Sequence, residues 1–223
     1  MVRDAYQREL ASLRADVVQF GEQVLGQLDD ALVAVETDDA SLAGAVIDGD
    51  EAVNEQYLAL EGRCVDLFAL QQPVASDLRF VTASFKIITE LERVGDLATN
   101  LSAYVRSVEP TRLPETSLVD VGELAREMVA DALVAYDTDD ADRATAVVER
   151  DDELDGLCER AAETVIRDLV ETTETLDDAF RERLTEANRV LLTLRDVERV
   201  GDHAVNIAAR TFYMVTNRTT LLY

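Results

Sequence analysis

Asp30-Ala-Leu-Val-Ala-Val-Glu-Thr-Asp-Asp-Ala40 returns 101 residues later as Asp131-Ala-Leu-Val-Ala-Tyr-Asp-Thr-Asp-Asp-Ala141, with nine of eleven residues unchanged. A match of that length and spacing marks the chain as a tandem duplication. Upstream of the first copy, Leu10, Leu13, Val17, Val24, Leu28, Leu32 and Val35 recur at helical spacing. The Thr-Asp-Asp ends that helix, and its aspartate is a good N-cap for the next. The offset of 101 persists through Ala45-Val-Ile-Asp-Gly-Asp-Glu51, which aligns with Ala146-Val-Val-Glu-Arg-Asp-Asp152.

Working outward, each half reads as three helices. The predicted spans are 4–36, 39–71 and 74–108, then 117–137, 139–171 and 177–216. Pro73 falls where a proline can open a helix at its first turn. Pro110 and Pro114 fall between the halves. The expected architecture is all-α: two tandem, pseudo-symmetric three-helix bundles over residues 1–109 and 116–223, joined by a linker at 110–115. Around Glu171 to Asp178 the second half carries about five extra residues, because the third helices align at an offset of 106.

Composition narrows the function. Nine glycines, three prolines and 48% apolar residues in 223 favour long helices over sheets. Forty-six acidic against 21 basic residues give a formal charge of −25. A field of that sign repels nucleic-acid phosphate and anionic membrane, so neither is expected as a direct partner. Lys86 is the only lysine, and an acidic, lysine-poor chain resembles proteins of salt-loving organisms, where high ionic strength screens self-repulsion. Cys64 and Cys158 belong to no Cys-x-x-Cys pair and are expected to be buried, reduced thiols. No signal peptide or apolar run of the ~20 residues a membrane span needs is evident, so a cytoplasmic protein is expected.

Chemistry concentrates in a second repeated stretch. Glu90-Leu-Glu-Arg-Val-Gly-Asp-Leu-Ala-Thr-Asn100 is echoed by Asp196-Val-Glu-Arg-Val-Gly-Asp-His-Ala-Val-Asn206. Glu92, Asp96 and Asn100, and likewise Glu198, Asp202 and Asn206, fall at i, i+4 and i+8, which lines three oxygen-bearing side chains along one helix face. That face lies away from the stripe of Phe80, Ala83, Ile87, Leu91, Val94, Ala98, Leu101 and Val105. Leu78, Val81, Phe85 and Ile88 lead into it. Oxygen pairs one turn apart suit hard cations. In a chain this acidic they also suit a solvated face, and both readings stand. Gly95 and Gly201 cost about 1 kcal/mol each against alanine mid-helix, so something is expected to approach the backbone there. His203, present only in the second copy, reads as a helix-surface histidine beside two acids, and Arg93 and Arg199 as counter-ions to them.

These stretches, with Gly49-Asp-Glu-Ala-Val-Asn54, Gln72-Pro-Val-Ala-Ser-Asp-Leu-Arg79 and Glu149-Arg-Asp-Asp-Glu-Leu-Asp155, resemble the PhoU family of phosphate-uptake regulators along essentially the whole chain. The resemblance implies metal sites on helices three and six. It implies iron as their metal, with zinc, magnesium or manganese as alternatives. It adds Asp50, Asp77 and Asp151 to Glu92, Asp96, Glu198 and Asp202 as site residues. It also implies an adaptor that couples a Pst-type phosphate transporter subunit, or a phosphate-responsive regulator, to the cell's phosphate status. Such an adaptor is expected to be a homodimer, cytoplasmic or held at the membrane through the transporter. The second half has Asp177-Asp-Ala-Phe-Arg181 where the first has Pro-Val-Ala-Ser-Asp-Leu-Arg, so the two sites need not be equivalent.

Two other functional classes compete. A di-metal carboxylate enzyme in a helical bundle uses Glu-x-x-His pairs facing the interior. The lone histidine here follows Asp202 directly. A purely structural, dimerising bundle explains the helices but not the doubled glycine. No Ser/His/Asp set, glycine-rich phosphate loop or Cys/His cluster argues for catalysis.

Overall fold

A computed structural model describes residues 2–71, 75–106, 118–171 and 178–222. In chain order the helices are α1 (Val2–Thr37), α2 (Ala40–Gln71), α3 (Ala75–Arg106), α4 (Leu118–Thr138), α5 (Ala141–Glu149), α6 (Asp151–Glu171) and α7 (Asp178–Thr216). No strand occurs among the described residues. Helices α1, α2 and α3 pack on one another, and α4, α5–α6 and α7 do the same, giving the two expected three-helix bundles. Pro73, Pro110, Pro114, the linker at 110–115 and most of the expected insertion lie outside the described residues.

The fifth predicted helix is not continuous; it is interrupted at Arg150. The Arg150 N–H bonds to Val147 O, three residues back, which tightens the turn, and its carbonyl then accepts from Leu154. Its side chain reaches Glu127 (2.6 Å) and Asp131 (3.0 Å) on α4. In the first half Gly49 holds this position, and α2 runs through without interruption.

The Thr-Asp-Asp corners form as the sequence indicates. Asp39 accepts from the N–H groups of Ser41 (2.9 Å) and Leu42 (3.0 Å), and Asp140 from those of Asp142 (3.1 Å) and Arg143 (2.9 Å). Asp38 and Asp139, at φ 54° and 55°, take the left-handed turn that aspartate tolerates better than most residues. Each corner is gripped from the other half. Arg189 of α7 bonds to Asp38 at 3.2 Å, and Arg14 of α1 bonds to Asp139 at 2.8 Å.

The two bundles meet along α1 against α4 and α3 against α7. The first seam is reciprocal: a Cβ built on Gly21 would lie 2.6 Å from Leu133, and one on Gly122 would lie 2.8 Å from Leu32. Those residues are equivalent at the 101 offset, so the duplication is also a pseudo-twofold contact in space. Glycine is needed here because the leucine of the facing helix occupies the space of its side chain. Ser84 and the fully buried Tyr136 share a 2.7 Å hydroxyl contact across the halves. Helix α3 touches α1, α2 and α7, so it is buried on more than the one expected stripe. Val81, Ile88 and Leu97 are as buried as Ile87 and Leu91, whereas Leu78 is exposed. Both cysteines are buried and unpaired, and burial pushes each thiol up to about 12.

Candidate functional site

In the first bundle α3 carries Glu92 and Asp96, and α2 lies close enough to bring Asp50 to them. Gly95 permits that approach: a Cβ there would meet Gln27 Oε1 at 3.1 Å and Val53 Cγ1 at 3.3 Å. Asp50 accepts from Asn54 Nδ2 (2.9 Å), Thr99 Oγ1 (3.1 Å) and Gln27 Nε2 (3.4 Å). Glu92 is half-buried; burial first and the charge of Asp96 second raise its carboxyl above the ordinary 4.5, with Asp50 and Glu61 adding to it. Asp96 is raised by burial and by Asp50, against Arg93 and Arg199.

The second bundle repeats the backbone arrangement and changes the side chains. A Cβ on Gly201 would lie 2.1 Å from Leu154 and 3.8 Å from Met128, the equivalents of Val53 and Gln27. The expected close approach at the doubled glycine is therefore real in both halves. Asp151 faces Glu198 and Asp202, and Asp155 joins them where the first half has Asn54. Burial, then Asp155, raises Asp151, Glu198 and Asp202 alike. The structure thus gathers Asp50 with Glu92 and Asp96, and Asp151 with Glu198 and Asp202. Asp77 is elsewhere: near the start of α3, about 22 Å along the helix from Glu92 at ~1.5 Å per residue, it accepts from Gln7 at 3.4 Å.

His203 is not a surface residue. It is 8% exposed, and its Nδ1 meets Glu90 Oε2 at 2.8 Å across the α3–α7 seam, where Asn206 adds a 3.3 Å bond. The sequence reading placed it outside because the helix face it occupies is free in one bundle and covered only by the other. Burial opposes ionisation of Glu90, but the hydrogen bond and charge of His203, with Asn206 and Arg93, hold the carboxyl below 4.5. The equivalent Asp196 is fully buried and is bound by Tyr104 (2.8 Å), Arg195 (3.0 Å) and Arg199 (3.3 Å). Arg199 is therefore a counter-ion, to Asp196. Asp155 escaped the sequence reading although its i+4 spacing from Asp151 repeats the spacing of the α7 pair.

Chemically, each cluster offers carboxylate oxygens from two helices, the donor type of hard cations. Mutual repulsion and desolvation leave each short of positive charge. Among the described residues no three Asp, Glu, His or Cys side chains are already drawn to chelating separation. Glu92, Asp96 and Asp50, or Glu198, Asp202, Asp151 and Asp155, are the side chains that would hold a cation.

Two pseudo-symmetric helical bundles, each carrying an acidic cluster where a glycine lets helix two approach helix three, define a class of duplicated three-helix-bundle proteins. The PhoU domain model matches residues 17–105 and 118–211. The chain is 33% identical over 215 residues to the phosphate-specific transport system accessory protein PhoU of Escherichia coli, covering 94% of this chain and 85% of that one. It is 26% identical over 221 residues to the PhoU homolog of Clostridium acetobutylicum, covering 98% and 97%. The crystal structure of the regulatory protein PhoU from Streptococcus pneumoniae superposes with a TM-score of 0.87 at 28% identity over 96% of this chain and 99% of that one. That of PhoU from Pseudomonas aeruginosa gives 0.87 at 29% over 96% and 100%. The chain belongs to the PhoU family, whose named members are accessory and regulatory proteins of phosphate transport.

Proposed function

We propose that this chain is a regulatory adaptor of phosphate uptake that docks on a Pst-type transporter subunit or a phosphate-responsive regulator and turns over no substrate. The observation that carries the reading is the pair of carboxylate clusters, repeated at equivalent places on a fold shared with transport accessory proteins. No described helix is long and apolar enough to cross a membrane. Its proposed place, by family resemblance, is the cytoplasm, with contact to the membrane through the transporter partner. A metal ion, iron by family resemblance or else zinc, magnesium or manganese, would supply positive charge to the clusters. It would turn a repulsive acidic face into one that accepts phosphate or an acidic partner segment. Asp77 lies too far from the motif acids to share their ion. Its proposed role is limited to the start of α3. A homodimer is proposed by family resemblance alone, and a high-salt cytoplasm fits the acidic, lysine-poor surface.

Deleting the gene in its native host is expected to derange phosphate uptake or its response to starvation. Pull-downs are expected to recover the transporter subunit or the regulator. Normal uptake and phosphate-responsive expression, with neither protein recovered, would leave only the structural bundle.

A further inference from the structure

Beyond the motif acids, α6 and α7 enclose an open groove of about 330 Å³. Its floor is Cys158, Ala162, Leu191 and Leu194, and its rim carries Asp155, Glu159 and Glu198. The first bundle has Tyr57, Glu61 and Phe85 where the second has Cys158, Ala162 and Leu191. There Tyr57 and Phe85 pack onto the core, and the Tyr57 hydroxyl donates to Glu61 at 2.8 Å. Smaller residues at the same backbone positions are what open the groove in the second bundle.

The apolar floor does not stop at the groove. Cys158, Ala162, Ile166 and Val170 follow at i, i+4, i+8 and i+12, a ridge that winds about 120° round α6 from the buried floor to its exposed side. Ile166 and Val170 are 52% and 69% exposed, and Leu184 on α7 is 47% exposed. We infer that this groove and stripe form a docking site for a basic amphipathic helix of a partner protein. One apolar side chain of that helix would enter the cavity, and its lysines or arginines would meet Asp155, Glu159 and Glu198. Charge complementarity selects this occupant. A second copy of a chain at −25, or an anionic lipid surface, would bring like charge to an acidic rim. Arg195, the one basic residue of the rim, is already held by Asp196 at 3.0 Å. Helix-in-groove binding of this kind draws affinity from the apolar anchors and orientation from the rim charges.

The inference rests on the adaptor reading and adds to it a surface for a basic segment, engaged when Asp155 and Glu198 hold no cation. A metal-loaded cluster would instead take phosphate or an acidic segment, so the two occupants compete. The docking site is tested without phosphate, so its failure leaves the gene-deletion result untouched. The probe is a fluorescein-labelled synthetic helix with a leucine face and a lysine face, titrated onto the full chain by anisotropy. Hydrogen exchange locates where it binds. Protection is expected on α6 and α7. The variant C158Y/A162E/L191F, which restores the first bundle's residues, is expected to weaken binding at least about tenfold, as loss of one buried apolar anchor does. I166S/V170S alters only exposed positions and keeps the test valid if the first variant unfolds; it is expected to weaken binding severalfold. The proposal is overturned by unchanged affinity in a folded variant, by no binding, or by protection confined to α1–α3. A dimer that I166S/V170S dissociates, or equal binding to anionic vesicles, would overturn it too by assigning the face to those occupants.

Discussion

The two bundles share a backbone device and part company in what surrounds it. In the first, Asp50 is satisfied by three neutral donors, Gln27, Asn54 and Thr99. In the second, Met128, Asp155 and Val205 hold those positions, so two donors become apolar and one becomes another acid. Duplication kept the close packing of helix two on Gly95 and Gly201, because steric fit tolerates little change. The half-buried polar lining of Gln27, Asn54 and Thr99 diverged instead. The first cluster is partly solvated from within the protein by these donors, and the second gathers a fourth carboxylate in place of one of them.

The comparison is broken most directly by metal. Adding Mn²⁺ or Fe²⁺ is expected to raise the melting temperature, with a stabilisation of about 2.7 kcal/mol when metal is at a hundred times its Kd. Glu198→Gln with Asp202→Asn is expected to remove most of that gain, and Glu92→Gln with Asp96→Asn a smaller part. Differential scanning calorimetry of the two double variants and the quadruple variant, at fixed ionic strength, makes the measurement. Undiminished stabilisation in the quadruple variant would remove the clusters as the site.

A smaller effect separates the two glycines. Gly201→Ala puts a Cβ 2.1 Å from Leu154, which is fully buried and has little room to turn away. Overpacking of this kind costs about 1–3 kcal/mol, from which alanine's better helix propensity recovers about 1. Gly95→Ala meets atoms only at 3.1 and 3.3 Å and is expected to be near neutral. Urea denaturation of both variants would show it, and equal losses would mean that the two helix pairs are not packed differently.

The sequence disclosed the duplication, the corner N-caps and the close approach at the glycines, because each leaves a local mark: a repeat, a Thr-Asp-Asp, a costly residue mid-helix. It did not disclose what the bundles do to each other. Gly21 and Gly122 carry no motif, and only the facing Leu133 and Leu32 explain them. His203 looked exposed because its partner, Glu90, is 113 residues away on another bundle. Asp155 was hidden among Asp152, Glu153 and Glu159: its i+4 spacing from Asp151 is a mark that only facing the α7 pair makes meaningful.

The smallest effect is the dependence on pH, and its sign follows from the directions of shift. Glu92, Asp96, Asp151, Glu198 and Asp202 are all raised above the ordinary 4.5 or 3.8, so the folded chain binds their protons more tightly than the unfolded one. Stability from these groups is fullest below the unfolded values and is lost as pH rises through the folded ones. Glu90, held below 4.5, acts oppositely: its contribution is present above that value and is lost on further acidification. Without metal, the melting temperature is therefore expected to climb as pH falls from neutrality toward 5, then turn over below about 4.5. Relief of the overall charge of −25 acts in the same direction as the clusters, so the informative quantity is a difference between variants. Asp155→Asn makes the second cluster resemble the first and is expected to flatten the climb by about 1–3 °C, the scale of one exposed charge pair. Asn54→Asp makes the first resemble the second and is expected to steepen it by a similar amount. Parallel profiles for wild type and both variants would mean that neither cluster feels the charge at position 54 or 155, and the contrast between the bundles would then be one of packing alone.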